Sequence, residues 1–209
     1  MYAEGISGKN YGYNEPIFIN EIRLDGLNDN ALRQYFKRML KSGDLARFDT
    51  GIYYLPKASR LLKKSYLDPM KVIVRKYIQS TTETYGYFAG ATFANQIGLT
   101  TQMPATLEIV TSKESTKGRT VTVGSQTVRL KRPVTTITSE NVGLLQFLDA
   151  VSQGEKYSEL SDPETGILLK NYAKQQTYSK ELLSSVLSGI TGPTAKKLIK
   201  WGIIYEFTS

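Results

Sequence analysis

The chain contains 209 residues, of which 40% are hydrophobic and 22% are charged, a composition typical of a globular protein with a buried core. It has 27 Lys and Arg residues against 19 Asp and Glu residues, and the resulting formal net charge of +8 favours an anionic partner. Because the chain has no cysteine and no histidine, disulfides, thiolate nucleophiles, imidazole bases and zinc sites built from Cys or His are excluded.

The N-terminal region predicts a short helix, a turn and a longer helix. No element is assigned to residues 1–16. Asn20 is expected to cap the short helix, which places Ile22 inward. The longer helix is predicted from Asp29 to Ser42, ending at Gly43, because apolar residues recur there at helical spacing. These apolar residues are Leu32, Tyr35, Phe36, Met39 and Leu40.

The opposite face of this longer helix is polar and basic. At about 100° per residue, its amide and cationic residues fall away from the apolar stripe. Asn30, Gln34, Lys37 and Lys41 lie opposite the stripe, and Arg33 and Arg38 flank it. The helix therefore presents hydrogen-bonding and positively charged side chains together.

Two short strands joined by residues 49–51 are predicted next, with Arg47 on the first strand and Pro56 ending the second. Basic residues continue after this hairpin at Lys57, Arg60, Lys63 and Lys64. A short helix, a turn, a longer helix and a hairpin follow the order of a winged helix-turn-helix, whose second helix enters the major groove of DNA. We therefore predict a winged-helix DNA-binding domain over residues 1–64.

Residues 65–209 are predicted to form a second, α+β domain. Asp68 and Pro69 begin a helix, a buried helix is expected within residues 87–97, and residues 105–111 form a strand. The clearest hairpin joins residues 119–123 to 126–131 through Gly124-Ser125, which suits a two-residue type II′ turn. The later elements are a strand in residues 134–139, a helix capped at Ser139 and stopped by Gly154, two more helices, and a final strand over residues 203–207. The predicted fold class is α+β throughout.

The predicted DNA-binding residues divide by expected role. Asn30, Gln34, Lys37 and Arg38 are positioned for base edges, whereas Lys41, Arg47 and Lys57 suit phosphates, and Arg33 flanks the same face. Tyr35, Tyr53 and Tyr54 lie on apolar faces, so packing is favoured over base stacking for them.

A second basic surface surrounds the hairpin of the second domain. It comprises Lys113, Lys117, Arg119, Arg129, Lys131 and Arg132, with Glu114 as the one acid between residues 113 and 132. Three interpretations remain open: a second nucleic-acid contact, a docking surface for an acidic partner, or a solvated edge whose cations discourage strand pairing.

Catalysis is not expected from this sequence. A metal-dependent nuclease needs convergent carboxylates around Mg²⁺, and the acids here are scattered. Glu108 and Lys113 lack the close spacing of a nuclease motif, and no phosphate-binding loop motif is present. We expect no catalytic residue, no metal site and no cofactor.

The sequence also predicts a cytoplasmic protein. No basic start followed by an apolar run marks a secretory signal, and the lack of cysteine fits a reducing compartment. Residues 84–107 carry no charge but include Asn95, Gln96 and Gln102, which are costly in hydrocarbon, so no membrane association is expected.

Two segments carry a family resemblance. Residues 32–57, LRQYFKRMLKSGDLARFDTGIYYLPK, resemble the winged helix of AbiEi-like antitoxins from bacterial type IV toxin–antitoxin (abortive infection) systems. Residues 86–112, GYFAGATFANQIGLTTQMPATLEIVTS, are similar to the core segment that follows it in that family. The resemblance implies a repressor of its own operon whose C-terminal domain counteracts a nucleotidyltransferase toxin without binding it stably.

The combined expectation is a DNA-binding transcriptional regulator, an autorepressing antitoxin with its own double-stranded operator DNA as partner. An alternative is a protein-interaction module that uses the winged helix and the basic hairpin to dock a partner. A metal-dependent nuclease is the less favoured alternative.

Overall fold

The computed structural model describes residues 5–24, 26–58 and 65–208. Arg60, Lys63, Lys64 and the predicted domain boundary after residue 64 lie outside the described residues. The fold is mixed α+β, as predicted, and the chain divides into two compact units, Met1–Arg75 and Lys76–Ser209.

The first unit combines a small antiparallel sheet with one long helix. Its elements are α1 (Gly8–Tyr11), β1 (Ile17–Phe18), a 3-10 helix (Ile19–Glu21), α2 (Asp29–Ser42), β2 (Ala46–Asp49) and β3 (Ile52–Tyr54). The strand order is β1-β3-β2, with Ile17 opposite Tyr53 and Ala46 opposite Tyr54. The first strand was not predicted from the sequence.

The long helix α2 has the predicted bounds. The Asn28 side chain accepts a hydrogen bond from the Ala31 backbone N–H at 2.9 Å, which satisfies a free donor of the first turn. Gly43 ends the helix in the left-handed region, at φ 83°, where a side chain would be strained. Leu32 and Phe36 are buried in the core of this unit.

The short helix predicted before α2 is present only as a three-residue 3-10 helix, and its predicted cap is wrong. Asn20 lies inside the three-residue 3-10 helix Ile19–Glu21 and caps nothing, although Ile22 is buried as expected. Ile17 and Phe18 pair with β3, so their extended backbone leaves too few residues for an α-helix before the turn. The predicted hairpin is present as β2 and β3, whereas a complete helix-turn-helix stays a prediction.

The second unit is built on a four-stranded mixed sheet. Helix α3 (Pro69–Tyr77) crosses the unit boundary, and the strands are β4 (Gly86–Ala89), β5 (Thr106–Thr111), β6 (Arg119–Val123) and β7 (Gln126–Lys131). Their order is β4-β5-β7-β6, and only the β5–β7 pair is parallel. The predicted hairpin is confirmed. Gly124 has φ 58° and Ser125 has no positive φ, as a type II′ turn requires.

Helices form the rest of this unit. They are α4 (Gly90–Gln96), α5 (Val142–Tyr157), α6 (Asp162–Lys174), α7 (Lys180–Leu187), α8 (Gly192–Lys200) and a 3-10 helix (Ile203–Thr208). Phe147, Leu169, Leu198, Trp201 and Ile203 lie in their common core. No helix in the described part of the chain is long and apolar enough to span a membrane.

Residues 134–139 do not form the predicted strand. The Asn141 side chain forms hydrogen bonds to their backbone instead. Its Nδ2 donates to the Thr136 carbonyl at 2.9 Å, and its Oδ1 accepts from the Thr138 N–H at 2.8 Å. Helix α5 therefore begins at Val142, and Ser139 is not its cap.

Two further predictions in the second unit need correction. Gly154 does not stop α5, because it is a buried helical residue with Leu169, Thr165 and Trp201 atoms within 3.6 Å of where a Cβ would lie. The final segment forms a 3-10 helix rather than a strand. The buried helix expected within residues 87–97 is confirmed as α4, which follows directly after strand β4.

Candidate nucleic-acid interface

All eight predicted DNA-binding side chains lie on the surface of the first unit. They are Asn30, Arg33, Gln34, Lys37, Arg38, Lys41, Arg47 and Lys57, and every one is exposed. The cations on α2 form no ion pair with any other described residue. From Asn30 to Lys41 this face is about 16 Å long, because each helical residue rises about 1.5 Å.

The apolar side of α2 is fixed to the sheet by aromatic packing. Phe36 is 1% exposed, and its ring lies edge-on to Tyr53 of β3, with centroids 4.9 Å apart. Tyr35 and Tyr53 are partly buried in the same core, which agrees with packing rather than base stacking. The exposed face of α2 is thus held in a fixed orientation relative to the hairpin.

Arg47 on β2 is held against the turn of the hairpin. Its Nε donates to the Asp49 carbonyl at 3.3 Å, and a terminal nitrogen donates to Thr50 Oγ1 at 3.0 Å. The guanidinium group still has free donors, so it can contact a phosphate from this position.

Lys57 follows β3, and its ammonium lies over the ring of Tyr13, 5.1 Å from the centroid. Tyr13 is 52% exposed. The sequence pattern assigned no element to residues 1–16 and gave no sign of this contact, because a pairing between residues 44 positions apart leaves no local pattern.

The second basic surface is partly neutralised. Arg119 Nε donates to Glu114 Oε2 at 2.8 Å, and Lys131 forms an ion pair with Glu108. Lys113, Lys117, Arg129 and Arg132 are exposed and form no ion pair with a described residue. Lys113 also lies 4.4 Å from the centroid of the Tyr85 ring. This surface therefore presents four cations that form no ion pair with a described residue, rather than six.

Glu108 is a buried carboxylate to which the sequence assigned no role. Besides its ion pair with Lys131, it accepts a hydrogen bond from the Tyr157 hydroxyl at 2.9 Å. Burial raises the pKa of Glu108, but the hydrogen bonds from Lys131, Tyr157 and the Ala91 backbone N–H outweigh it, so the net pKa is lowered. The sequence feature that could have indicated this buried, paired carboxylate was a charged residue in the middle of an apolar strand.

Asp149 lies in the same part of the fold and behaves oppositely. Burial raises its pKa, against the opposing effects of Lys131 and of a hydrogen bond from the Gly90 backbone N–H. Burial and, secondarily, Asp149 also raise the pKa of the Tyr87 hydroxyl. The backbone N–H groups of Gly90 and Ala91, at the start of α4, favour the ionised forms of Asp149 and Glu108 respectively, and the N-cap of this helix, Ala89, offers no side-chain acceptor.

The two buried carboxylates thus interact with Lys131, Tyr157 and the backbone at the start of α4. Among the described residues, no group of three or more His, Cys, Asp or Glu side chains is placed to hold a metal ion. The exposed basic face of α2, with Arg47 and Lys57, is therefore the candidate interface.

The fold thus defines a two-unit α+β protein with a basic helix-and-hairpin surface in its first unit. The chain belongs to the family of unknown function DUF6088, whose model matches residues 12–174. The match includes all of α2, the hairpin and the four-stranded sheet. No curated protein and no solved structure matches the chain.

Proposed function

We propose that this protein is a DNA-binding transcriptional regulator that reads its operator with helix α2. The observation that carries the proposal is the face of α2, where four cations and two amides are exposed together and no cation is paired with a described acid. Amide and guanidinium groups on one helix face suit base edges in the major groove, and lysines suit phosphates.

Fluorescence anisotropy of the full chain tests this function. The probes are duplex DNA from upstream of its own gene and a scrambled duplex of the same composition, over about 50 to 200 mM salt. We expect tighter binding to the upstream sequence and an affinity that falls steeply with salt, because phosphate contacts release counterions. Equal binding to both duplexes would contradict an operator-specific role, and no binding at the lowest salt would contradict DNA binding altogether.

The resemblance to AbiEi-like antitoxins extends the proposal. In this extension the protein is a cytoplasmic autorepressor, and its second unit counteracts a nucleotidyltransferase toxin without a stable complex. Expression of a neighbouring toxin gene with and without this chain tests it. Growth arrest that this chain relieves supports the extension, and arrest that it leaves unchanged contradicts it.

A second candidate function is docking of an acidic protein partner on the hairpin of the second unit. Strand β6 is at the edge of its sheet and pairs only with β7 among the described strands. Four exposed cations that form no ion pair with a described residue lie before β6, on β7 or directly after β7: Lys113, Lys117, Arg129 and Arg132. An extended acidic segment would pair with such an edge. Alanine substitution of Arg129 and Arg132 distinguishes the two candidate functions. It should weaken the binding of an acidic partner to β6 and leave operator binding by α2 intact.

A further inference from the structure

Asn14 has an unusual backbone conformation. Its φ is 55°, and no other non-glycine residue in the described ranges has a positive φ. Asparagine tolerates this left-handed region better than most residues, but the conformation is kept only where the surrounding contacts favour it. The Asn14 backbone N–H donates to the Leu55 carbonyl at 2.9 Å, which anchors the residue beside the end of β3.

The side chain of Asn14 binds both backbone groups of Lys57. Its Nδ2 donates to the Lys57 carbonyl at 2.8 Å, and its Oδ1 accepts from the Lys57 N–H at 3.1 Å. The same Oδ1 also accepts from the Ser65 hydroxyl at 3.1 Å. The Asn14 amide thus makes the pair of backbone hydrogen bonds to Lys57 that a neighbouring strand would otherwise make. Through Ser65 it also links residues on both sides of segment 58–64.

The ammonium group of Lys57 is oriented by the residue next to Asn14. It lies over the Tyr13 ring, and the nearby Glu15 is engaged by Lys71. Lys57 forms no ion pair with a described acid, so its charge remains available. Residues 13 and 14 therefore fix the backbone and the charged end of one exposed lysine.

We propose that Asn14 is a positioning residue of the DNA interface, which holds Lys57 so that its ammonium group meets a phosphate. This proposal rests on the DNA-binding function proposed above and extends the interface to the N-terminal segment. Asn14 itself contacts no DNA in this arrangement, and its whole effect passes through Lys57.

A double-mutant cycle tests the proposal with the full chain. The proteins are the wild type, Asn14→Gly, Lys57→Ala and the double variant, each titrated into the upstream duplex at about 100 mM salt. Glycine is chosen because it adopts φ 55° without strain. Lys57→Ala should weaken binding up to about eightfold and reduce the salt slope by about 0.9, the effect of one lost phosphate contact. Asn14→Gly should cause part of that loss, about threefold, and no further loss in the Lys57→Ala background.

Asn20→Gly is the matched control, because Asn20 is exposed in the same unit and its side chain bonds to no described residue. Hydrogen exchange of the Lys57 amide gives an independent readout, which should be faster in Asn14→Gly and unchanged in Asn20→Gly. If Asn14→Gly does not fold by circular dichroism, Asn14→Asp replaces it, since Asp keeps the acceptor and loses the donor to the Lys57 carbonyl.

Unchanged binding by the Asn14 variant would overturn the proposal. An equal loss with and without Lys57 would also overturn it, because Asn14 would then act independently. A wild type that binds no DNA would overturn the proposed function and this proposal together, whereas the first two results leave DNA binding intact.

Discussion

The carboxylate of Glu108 fills the space beside the backbone of Gly90. A Cβ atom at residue 90 would lie 2.5 Å from Glu108 Oε1, and Gly90 has φ 54°. Steric exclusion and backbone conformation thus both require glycine where β4 turns into α4. The start of α4 and the buried carboxylate of β5 are therefore mutually dependent.

Gly90→Ala is expected to destabilise the fold by about 2–4 kcal/mol, from left-handed strain together with displacement of a carboxylate held by Lys131 and Tyr157. Urea unfolding followed by fluorescence measures the change, because the chain has a single tryptophan, Trp201, which is 8% exposed. Gly192→Ala is the control, with open space around the position and no positive φ. Equal stability of the two variants would contradict this account of Gly90.

Glu108→Gln should cost about 1–3 kcal/mol at pH 7, because Lys131 loses its charged partner and a half-buried ammonium remains. The folded-state pKa of Glu108 is lowered, so its ionised form stabilises the fold above the ordinary glutamate pKa of 4.5. That contribution is lost as the pH falls through the folded-state pKa. Urea unfolding between pH 7 and pH 3 should show the gap between wild type and variant closing in acid, and a constant gap would contradict the pKa assignment.

Asp149→Asn should behave in the opposite way. The folded-state pKa of Asp149 is raised by burial, so the wild type loses stability as the pH rises from the ordinary aspartate pKa of 3.8 through the folded-state value. Asparagine still accepts the Gly90 N–H and buries no charge. We therefore expect the variant to be more stable than the wild type at pH 7 and to lose this advantage near pH 3. A variant that is less stable at pH 7 would show that Lys131 outweighs burial.

Elements with local signals were predicted accurately from the sequence. Helix α2 combines an apolar stripe with the cap Asn28 and the terminator Gly43, and these signals involve residues within a few positions of each other. The β6–β7 hairpin has alternating strands and a two-residue Gly-Ser turn, which together determine its register.

Elements determined by distant contacts were not predicted. Residues 134–139 have strand-like composition, but Asn141 binds their backbone. Gly154 resembles a helix stop, yet the packing of Leu169 and Trp201 requires a small residue there. Within the candidate interface, the exposure of α2 follows from its periodicity, whereas the contact of Asn14 with Lys57 depends on a chain reversal that no local pattern indicates.

The exposed cations of α2 provide the most direct test of the candidate interface. Lys37→Ala combined with Arg38→Ala should weaken binding to the upstream duplex by well over tenfold, because each base-edge contact contributes about 1–3 kcal/mol. Discrimination against the scrambled duplex should fall as well, since base contacts rather than phosphate contacts carry sequence information. Fluorescence anisotropy at one fixed salt concentration measures both effects.

The matched control is Lys180→Ala combined with Lys196→Ala, which removes the same charge from two exposed helical lysines of the second unit. If attraction to DNA depended only on net charge, both double variants would lose affinity equally. Because Lys37 lies opposite the apolar stripe of α2, Arg38 flanks it, and both are exposed, we expect the loss in the α2 variant alone. Equal losses would show that DNA binding depends on the net positive charge of the protein rather than on the exposed face of α2.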